Sequence, residues 1–222
     1  MNKYAVKILD AEYISHDVKR FIVEKPPGYT FVPGQGTEVA INLPDWKDQF
    51  RAFTFTNLIS QQYLEFMVKI YNDHGGVTRQ LGKTNAGVEL IIQDAFGAIN
   101  YKGQGVFLAG GAGITPFISI FRHLFKANQI EGNKLIYSTG TVEDVILYQE
   151  LKMMLKEDMV NFFSHENRIG FGYHRIDRNY LIRVIKDFSQ YFYLCGPENF
   201  VKDLSAILLD LGVQAESLVV EK

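Results

Sequence analysis

A cluster of glycines lies in the middle of the chain, in the run VFLAGGAGITPF that begins at Val106. A buried-strand pattern enters the turn at 110–113 and a helical pattern leaves it, so Thr115 is expected as the N-cap and Pro116 as the first helical residue. Glycines permit a sharp bend and the close approach of a ligand, and a helix start offers unpaired N–H groups. The turn therefore predicts a phosphate site, although a tight turn that binds nothing would have the same glycines.

The spacing of these glycines departs from the dinucleotide fingerprint G-x-G-x-x-G, because Pro116 replaces the third glycine. Three other stretches carry residues that could do chemistry. They are RAFTFTN (51–57), GGVT (75–78) and YLCGPENF (193–200). Each has an ordinary alternative: a half-buried strand beside a surface arginine, a glycine hairpin, and a small core cysteine. None of the three stretches is specific alone.

The counts of cysteine and histidine limit the redox and metal chemistry. Cys195 is the only cysteine, which excludes an intramolecular disulfide and an iron–sulfur cluster with four thiolates from this chain alone. The five histidines, at 16, 74, 123, 165 and 174, show no metal-ligand spacing, and His74 is expected in a solvated loop. A net charge of −2 without a basic run gives no reason to expect nucleic acid. We expect a reducing cytoplasm as the location.

Residues 1–100 have the pattern of an antiparallel barrel or sandwich. Six short runs rich in β-branched and aromatic residues are separated by turn residues. The predicted strands are 4–14, 18–25, 38–43, 50–57, 63–71 and 88–93. The stretch 76–84 is predicted to be a short helix.

From about residue 103 the pattern changes to alternating strands and helices, which predicts a parallel sheet covered by helices on both faces. Helices are predicted from Pro116 to about Asn128 and over 142–157, 177–188 and 197–212, each after a strand. The window 103–121 has no charge, but it contains five glycines and a proline and is predicted to be a strand, a turn and a helix. No membrane insertion is expected.

The order of the motifs resembles that of the ferredoxin–NADP reductase superfamily over nearly the whole chain. RAFT (51–54) resembles the R-x-Y-[ST] flavin motif, GGVT (75–78) the flavin-phosphate loop, and DAFGAI (94–99) the segment that closes the flavin domain. GGAGITP (110–116), TVEDVILYQEL (141–151) and YLCGPENF (193–200) resemble elements of the nicotinamide side. The resemblance implies an FAD-binding β-barrel domain over 1–101 and an NAD(P)-binding, Rossmann-like α/β domain over 102–222.

The resemblance implies roles for residues of the barrel. Arg51 would face the flavin pyrophosphate, and Thr54 would place its hydroxyl near flavin N5. Phe53 would pack on the flavin without the hydroxyl of the usual tyrosine. Backbone N–H groups and a hydroxyl of the glycine loop would bind the phosphates, and the end of the preceding strand would line the flavin, although core packing explains its apolar members equally well. These residues are Gly75, Gly76, Val77 and Thr78, and Val68, Lys69 and Ile70.

On the nicotinamide side, the resemblance implies a pyrophosphate site and a hydride-transfer site. The pyrophosphate would lie against Gly111, Gly113, Thr115 and Pro116. Cys195, Gly196 and Pro197 would lie at the nicotinamide, with Cys195 orienting the ring rather than acting as a nucleophile. Thr139 is also expected at the nucleotide.

The second domain offers few cations for a 2′-phosphate. Thr139 ends a strand without a following arginine, and His165 stands where members that prefer NADP often have one. The side chain of Arg168 or Arg175 could still reach a 2′-phosphate, so NADH is only slightly favoured over NADPH.

The leading hypothesis is an FAD-dependent NAD(P)H oxidoreductase, with FMN as the alternative flavin. It would pass electrons to a separate acceptor such as ferredoxin, flavodoxin or an oxygenase component. Two alternatives stay open: a reductase that uses free flavin as a substrate, and an electron-transfer subunit of a larger complex.

Overall fold

The computed structural model describes residues 2–73, 75–97, 99–167, 169, 171–173 and 175–221, with the backbone only for Gly172 and Tyr173. The expectations for His74, Arg168 and His174 lie outside the described residues.

Six antiparallel strands form the first domain. They are β1 (Lys3–Tyr13), β2 (Val18–Glu24), β3 (Gly36–Ile41), β4 (Arg51–Thr54), β5 (Tyr63–Lys69) and β6 (Glu89–Gln93). Their order in the sheet is β4-β3-β6-β1-β2-β5, and a bridge between Phe55 and Phe66 brings the two edges together. Alternating side chains such as Phe21 and Val23 fill the interior, as period-2 patterning requires. The predicted barrel is confirmed, and each strand lies where the sequence predicts it.

The short helix α1 (Val77–Gly82) follows β5 and is held at its C-terminal end by a buried lysine. Lys19 is 3% exposed, and its ammonium donates to the carbonyls of Gly82 at 3.1 Å and Thr84 at 2.6 Å. A cation at this end complements the helix dipole, so Lys19 fixes the helix against the barrel. Burial lowers the pKa of Lys19.

The second domain is a parallel sheet with helices on both faces. Its strands are β7 (Gly105–Gly110), β8 (Lys134–Thr139), β9 (Met159–Phe163), β10 (Gly172–Tyr173), β11 (Tyr191–Cys195) and β12 (Leu218–Val220). Its helices are α2 (Thr115–Lys126), α3 (Tyr148–Leu155), α4 (Arg178–Val184) and α5 (Glu198–Asp210). The strand order is β10-β9-β8-β7-β11-β12. The predicted α/β domain is confirmed; the two-residue strand β10 was not predicted. Among the described residues, no helix is long and apolar enough to span a bilayer.

The helix predicted over 142–157 is interrupted. A single 3-10 turn covers Val142–Asp144, and α3 begins only at Tyr148, after Leu147 with a left-handed φ of 53°. The Asp144 carboxylate accepts from the Thr141 backbone N–H at 2.7 Å, which closes the first turn on itself. Val145 and Ile146 then turn into the core, where they are 8% and 2% exposed. Burial of these apolar side chains therefore outweighs the helical periodicity.

One polar face of α2 docks the second domain onto the barrel. Four of its side chains, at i, i+4, i+7 and i+11, each contact a different barrel group. The pairs are Thr115 with the Thr54 hydroxyl, Ser119 with the Gly34 N–H, Arg122 with Glu65, and Lys126 with Ser60. The other faces of α2 are apolar and buried against the parallel sheet. Helix α2 thus packs in the core of the second domain and also anchors the barrel.

Arg122 makes the most extensive of these contacts. Its guanidinium bonds both oxygens of Glu150 at 2.6 and 2.9 Å, Glu65 at 2.6 Å, and the Thr56 carbonyl at 2.8 Å. The Glu65 side chain is only 5% exposed, and the Thr56 hydroxyl also donates to it at 2.7 Å. Because each of the three charged groups is hydrogen-bonded to a counter-charge, the network is stable although it is largely buried.

The chain passes between the domains over residues 94–104. The Tyr193 hydroxyl accepts from the N–H groups of Lys102 and Gly103, at 2.9 and 3.1 Å, so the backbone is held by the second sheet from residue 102 onward. This contact supports a boundary at 101/102, which stays a prediction.

We predict that Arg122→Met lowers the free energy of unfolding by about 3 kcal/mol, because it leaves the Glu65 carboxylate buried without a counter-charge. Urea denaturation followed by circular dichroism measures the loss. Lys126→Met is the matched control on the same face of α2, since its exposed contact with Ser60 predicts a change below about 0.5 kcal/mol. Equal losses in the two variants would contradict the importance of the buried pair.

Candidate functional site

Two of the glycines in the central turn are required by geometry. Gly111 has a left-handed φ of +54°, and a Cβ on Gly113 would lie 2.3 Å from the Cys195 carbonyl oxygen. The turn is a 3-10 segment (Gly111–Ile114) that continues directly into α2. The Tyr137 hydroxyl donates to the Gly111 carbonyl at 3.0 Å and fixes the turn from below. The close approach at Gly113 brings the glycine turn and the end of β11 together.

The predicted N-cap of α2 is wrong by one residue. Thr115 is the first residue of α2 rather than its cap, and Pro116 is the second. The cause is the preceding 3-10 turn, since Ile114 already has helical angles of −69° and −23°. Thr115 instead donates its hydroxyl to the Ala112 carbonyl at 3.0 Å. Pro116 is buried, so its side chain packs rather than faces a ligand.

A cleft of about 560 Å³ lies between the two domains, and most of the predicted site residues border it. From the barrel these are Phe53, Thr54, Val68, Lys69 and Thr78. From the second domain they are Gly111, Gly113, Thr115, Cys195, Gly196 and Pro197. The cleft thus joins residues that are far apart in sequence. Thr54, for example, is 61 positions from Thr115 and 142 from Gly196. The sequence motifs converge as the resemblance implies.

Strand alternation decides which residues at the end of β5 face the cleft. Val68 and Ile70 point into the barrel, where they are 2% and 4% exposed, although Val68 also borders the cleft. Met67 and Lys69 point outward and border it. For Ile70, of the two predicted alternatives, the structure shows the packing one: its side chain lies in the barrel core.

The rim of the cleft consists of Arg51, Gly75, Gly76 and the start of α1, which adjoin cleft-lining residues in sequence. Arg51 is exposed, its guanidinium donates only to the neighbouring Phe50 carbonyl at 2.7 Å, and it makes no ion pair with a described carboxylate. A Cβ on Gly75 or Gly76 would meet nothing within 4 Å, so packing does not explain these glycines. The first turn of α1 also has no side-chain cap. An unpaired cation, open space and uncapped N–H groups are what a pyrophosphate needs.

Within this rim, two residues contribute differently. The Val77 side chain is buried in the barrel core at 1% exposure, so only its backbone N–H can serve a ligand. Thr78 borders the cleft with its side chain. The rim therefore combines an exposed cation, uncapped N–H groups and the Thr78 side chain, a set that suits phosphate groups.

The Cys195 thiol lies at the opposite wall and donates to the Glu221 carboxylate at 3.0 Å. Burial, at 5% exposure, raises the pKa of Cys195 well above its usual value, and the negative charge of Glu221 raises it further. The group is therefore a neutral thiol, which agrees with a positioning role rather than a nucleophilic one. Glu221 was missed from the sequence. The pairing of the last strand could have found it, because Leu194 opposite Val220 places Cys195 beside Glu221.

Lys69 is part of an ion-pair cluster across the domain boundary rather than a free cation. Its ammonium lies 2.7 Å from the Asp17 carboxylate, and His16 lies 3.6 Å from Asp17 and 3.5 Å from Asp144 of the second domain. Burial alone would lower the pKa of Lys69, but the hydrogen bond and charge of Asp17 raise it. Histidine spacing in the sequence did not predict this cluster, because its members come from both domains.

Two further cavities continue from the cleft along the carboxyl ends of the parallel strands. The first, about 330 Å³, is bordered by Gly111, Lys69 and Thr139. The second, about 520 Å³, is bordered by His165, Arg175 and Asp203. Ligands of open parallel sheets bind outside the carboxyl ends of the strands, so this path suits an extended nucleotide. Thr139 therefore borders the first of these two cavities, away from the central cleft.

The barrel, the parallel sheet and their shared cleft define a two-domain flavoprotein that binds FAD and a nicotinamide nucleotide. The family model described as an oxidoreductase FAD-binding domain matches residues 5–101, and the one described as an oxidoreductase NAD-binding domain matches residues 107–206. The chain belongs to the ferredoxin–NADP reductase superfamily. The predicted membership and cofactor classes are confirmed. When bound, the flavin supplies the hydride-accepting atom, and the protein orients it.

Similar sequences include reductases of several architectures. The chain is 26% identical over 207 residues to NADH-cytochrome b5 reductase 1 of Eremothecium gossypii, covering 84% of this chain and 71% of that protein. It is 29% identical over 183 residues to a nitrate reductase [NADH] of Cucurbita maxima, covering 70% of this chain and 20% of that protein. The chain thus spans about a fifth of the length of the plant nitrate reductases that it matches.

Similar solved structures confirm the fold. A ferredoxin NADP+ reductase from Neisseria gonorrhoeae, with bound FAD and NADP, matches with a TM-score of 0.85 at 20% identity and covers 99% of this chain and 98% of that one. The cytochrome b5 reductase domain of Ulva prolifera nitrate reductase matches with a TM-score of 0.83 at 20% identity and covers 99% and 97%.

We predict that the native Cys195 thiol reacts with iodoacetamide at pH 8 far more slowly than the same thiol in unfolded protein, because burial keeps it protonated. Glu221→Gln removes the adjacent charge, so the pKa of Cys195 falls and the labelling rate rises at a lower pH than in the unaltered protein. Mass spectrometry of labelled protein over a pH series measures both. Identical pH profiles for the two proteins would contradict the contact between Cys195 and Glu221.

Proposed function

We propose that the protein oxidises NAD(P)H through a bound FAD and passes the electrons to a separate acceptor. The observation that carries the proposal is the shared cleft, in which Thr54 of the flavin motif and Cys195 of the nicotinamide motif line the same space. Hydride transfer needs two rings held in contact in a site that excludes water. Buried or apolar groups such as Cys195, Phe53 and Pro197 supply such walls.

Retention of FAD as a prosthetic group is supported by the rim formed by Arg51 and the start of α1. A phosphate cradle of this kind favours a flavin that stays bound over one that is exchanged as a substrate. A free-flavin reductase is the alternative that the rim argues against.

A one-electron carrier is proposed as the acceptor, because the similar NADH-cytochrome b5 reductase 1 is named for such a carrier. Ferredoxin, flavodoxin and an oxygenase component stay as predicted candidates. The names of the relatives add a haem protein of the cytochrome b5 type. Operation inside a larger assembly, and a cytoplasmic location, also stay predictions.

An anaerobic titration tests the proposed activity. We expect purified protein to be yellow after dialysis, its released flavin to co-migrate with FAD, and its absorbance near 450 nm to bleach on addition of NADH. A colourless protein that consumes NADH only with added flavin would favour the free-flavin alternative. Flavin absorbance that does not respond to NADH or NADPH would overturn the reductase proposal.

We predict that Arg51→Ala weakens FAD binding at least tenfold, because one charge-assisted contact to phosphate contributes about 1.5–3 kcal/mol. The Kd is measured by flavin fluorescence quenching on titration of apoprotein. Arg178→Ala is the matched control, since Arg178 is an exposed arginine that pairs with Asp210 on the second domain. An unchanged Kd in Arg51→Ala would show that the exposed guanidinium does not hold the cofactor.

We also propose NADH as the slightly favoured donor, because Asp203 borders the 520 Å³ cavity together with Arg175 and offsets the positive charge that a 2′-phosphate would need. Asp203→Asn is predicted to raise the ratio of kcat/KM for NADPH to that for NADH by roughly tenfold, as expected when about 1.4 kcal/mol of like-charge repulsion is removed. Asp210→Asn on the same helix, outside this cavity, should leave the ratio unchanged. A ratio that does not change in Asp203→Asn would remove this support for NADH.

A further inference from the structure

Two threonine hydroxyls from different domains are hydrogen-bonded to each other beside the cleft. Thr54 ends β4 of the barrel, Thr115 begins α2, and their Oγ1 atoms lie 2.8 Å apart. The Thr115 hydroxyl also lies 3.0 Å from the Ala112 carbonyl oxygen. Both threonines border the central cleft, so the chain of contacts runs from the cleft wall into the glycine turn.

The single proton of each hydroxyl decides which group donates in each of these two hydrogen bonds. A threonine hydroxyl has one proton and two lone pairs, and a carbonyl oxygen can only accept. Thr115 therefore donates its proton to Ala112, and Thr54 donates its own to Thr115. The Thr54 oxygen then has only lone pairs left to present to the cleft.

We propose that Thr115 is a positioning residue that makes Thr54 a hydrogen-bond acceptor toward the flavin. The proposal rests on the proposed function, in which Thr54 faces flavin N5. Thr115 thereby acts on the flavin through Thr54, in addition to any contact that it makes with a nucleotide.

The consequence is a preference between the two redox states of the flavin. N5 of the oxidised flavin is an acceptor without a proton, whereas the two-electron-reduced flavin has an N5–H donor. An acceptor at Thr54 therefore stabilises the reduced flavin. Removal of the Thr115 hydroxyl frees the Thr54 proton to point at N5, which stabilises the oxidised flavin instead.

The chain offers a matched control for the loss of an interdomain hydrogen bond. Ser119 lies one turn further along the same face of α2, accepts from the Gly34 N–H at 3.0 Å and is fully buried. It does not border the cleft. Ser119→Ala therefore removes a domain contact of the same kind without altering the Thr54 hydroxyl.

The experiment is an equilibrium measurement of the flavin reduction potential in the holoprotein, without nicotinamide nucleotide or acceptor. Thr115→Val is expected to lower the potential by about 30 mV, which corresponds to a tenfold change in the ratio of the affinities for reduced and oxidised flavin. Thr115→Ser should restore the original potential, and Ser119→Ala should leave it unchanged. Thr115→Ala replaces the valine variant if valine prevents folding.

A double-mutant cycle tests whether Thr115 acts through Thr54. Once Thr54→Val has removed the acceptor, adding Thr115→Val should produce no further change in potential. A potential that is unaffected by Thr115→Val, or effects that simply add in the double variant, would overturn the proposal while leaving flavin binding and the proposed function intact. Failure of the unaltered protein to bind flavin would overturn both.

Discussion

The structure depends on the docking of one helix against the barrel. Arg122 of α2 bonds Glu65 of the barrel and Glu150 of α3 at once, so it joins three elements through one guanidinium. Because Glu65 is buried, the pair is stable only when all its members are in place. Among the described residues, both domains supply the walls of the cleft, and its shape therefore follows from this network. The docking contacts continue along α2 to Thr115, which lies at the cleft itself.

The glycine turn before α2 has no room for a side chain at Gly113. A Cβ on Gly113 would collide with the Cys195 carbonyl, so the turn must pack its backbone directly on the end of β11. This contact sets Cys195 beside the cleft and, through strand pairing, Glu221 beside Cys195. The G-x-G-x-x-P motif thus serves both packing and ligand approach, and Pro116 in place of a third glycine is compatible with it because that position is buried within α2.

Most of the fold was predictable from the sequence, because it follows from local periodicity. The barrel strands and the alternation of the second domain lie where the pattern predicts them, and motif order identified the family. The errors lie where tertiary contacts outweigh local preference. Val145 and Ile146 interrupt a predicted helix by turning into the core, and a 3-10 turn shifts the start of α2 so that Thr115 is not its cap. Glu221 and the His16 cluster were missed because strand pairing and domain docking, which no local pattern contains, create them.

The distribution of paired and unpaired cations explains how a chain with a net charge of −2 can hold polyanionic cofactors. Lys69 and Arg122, which lie close to the domain boundary, are neutralised by Asp17, Glu65 and Glu150. The Lys19 ammonium donates to the carbonyls of Gly82 and Thr84 at the end of α1. Arg51 makes no ion pair with a described carboxylate and stays exposed at the rim. Since an anion gains most from a cation that gives up no partner, the proposed role of Arg51 depends on the position of this charge rather than on the net charge of the protein.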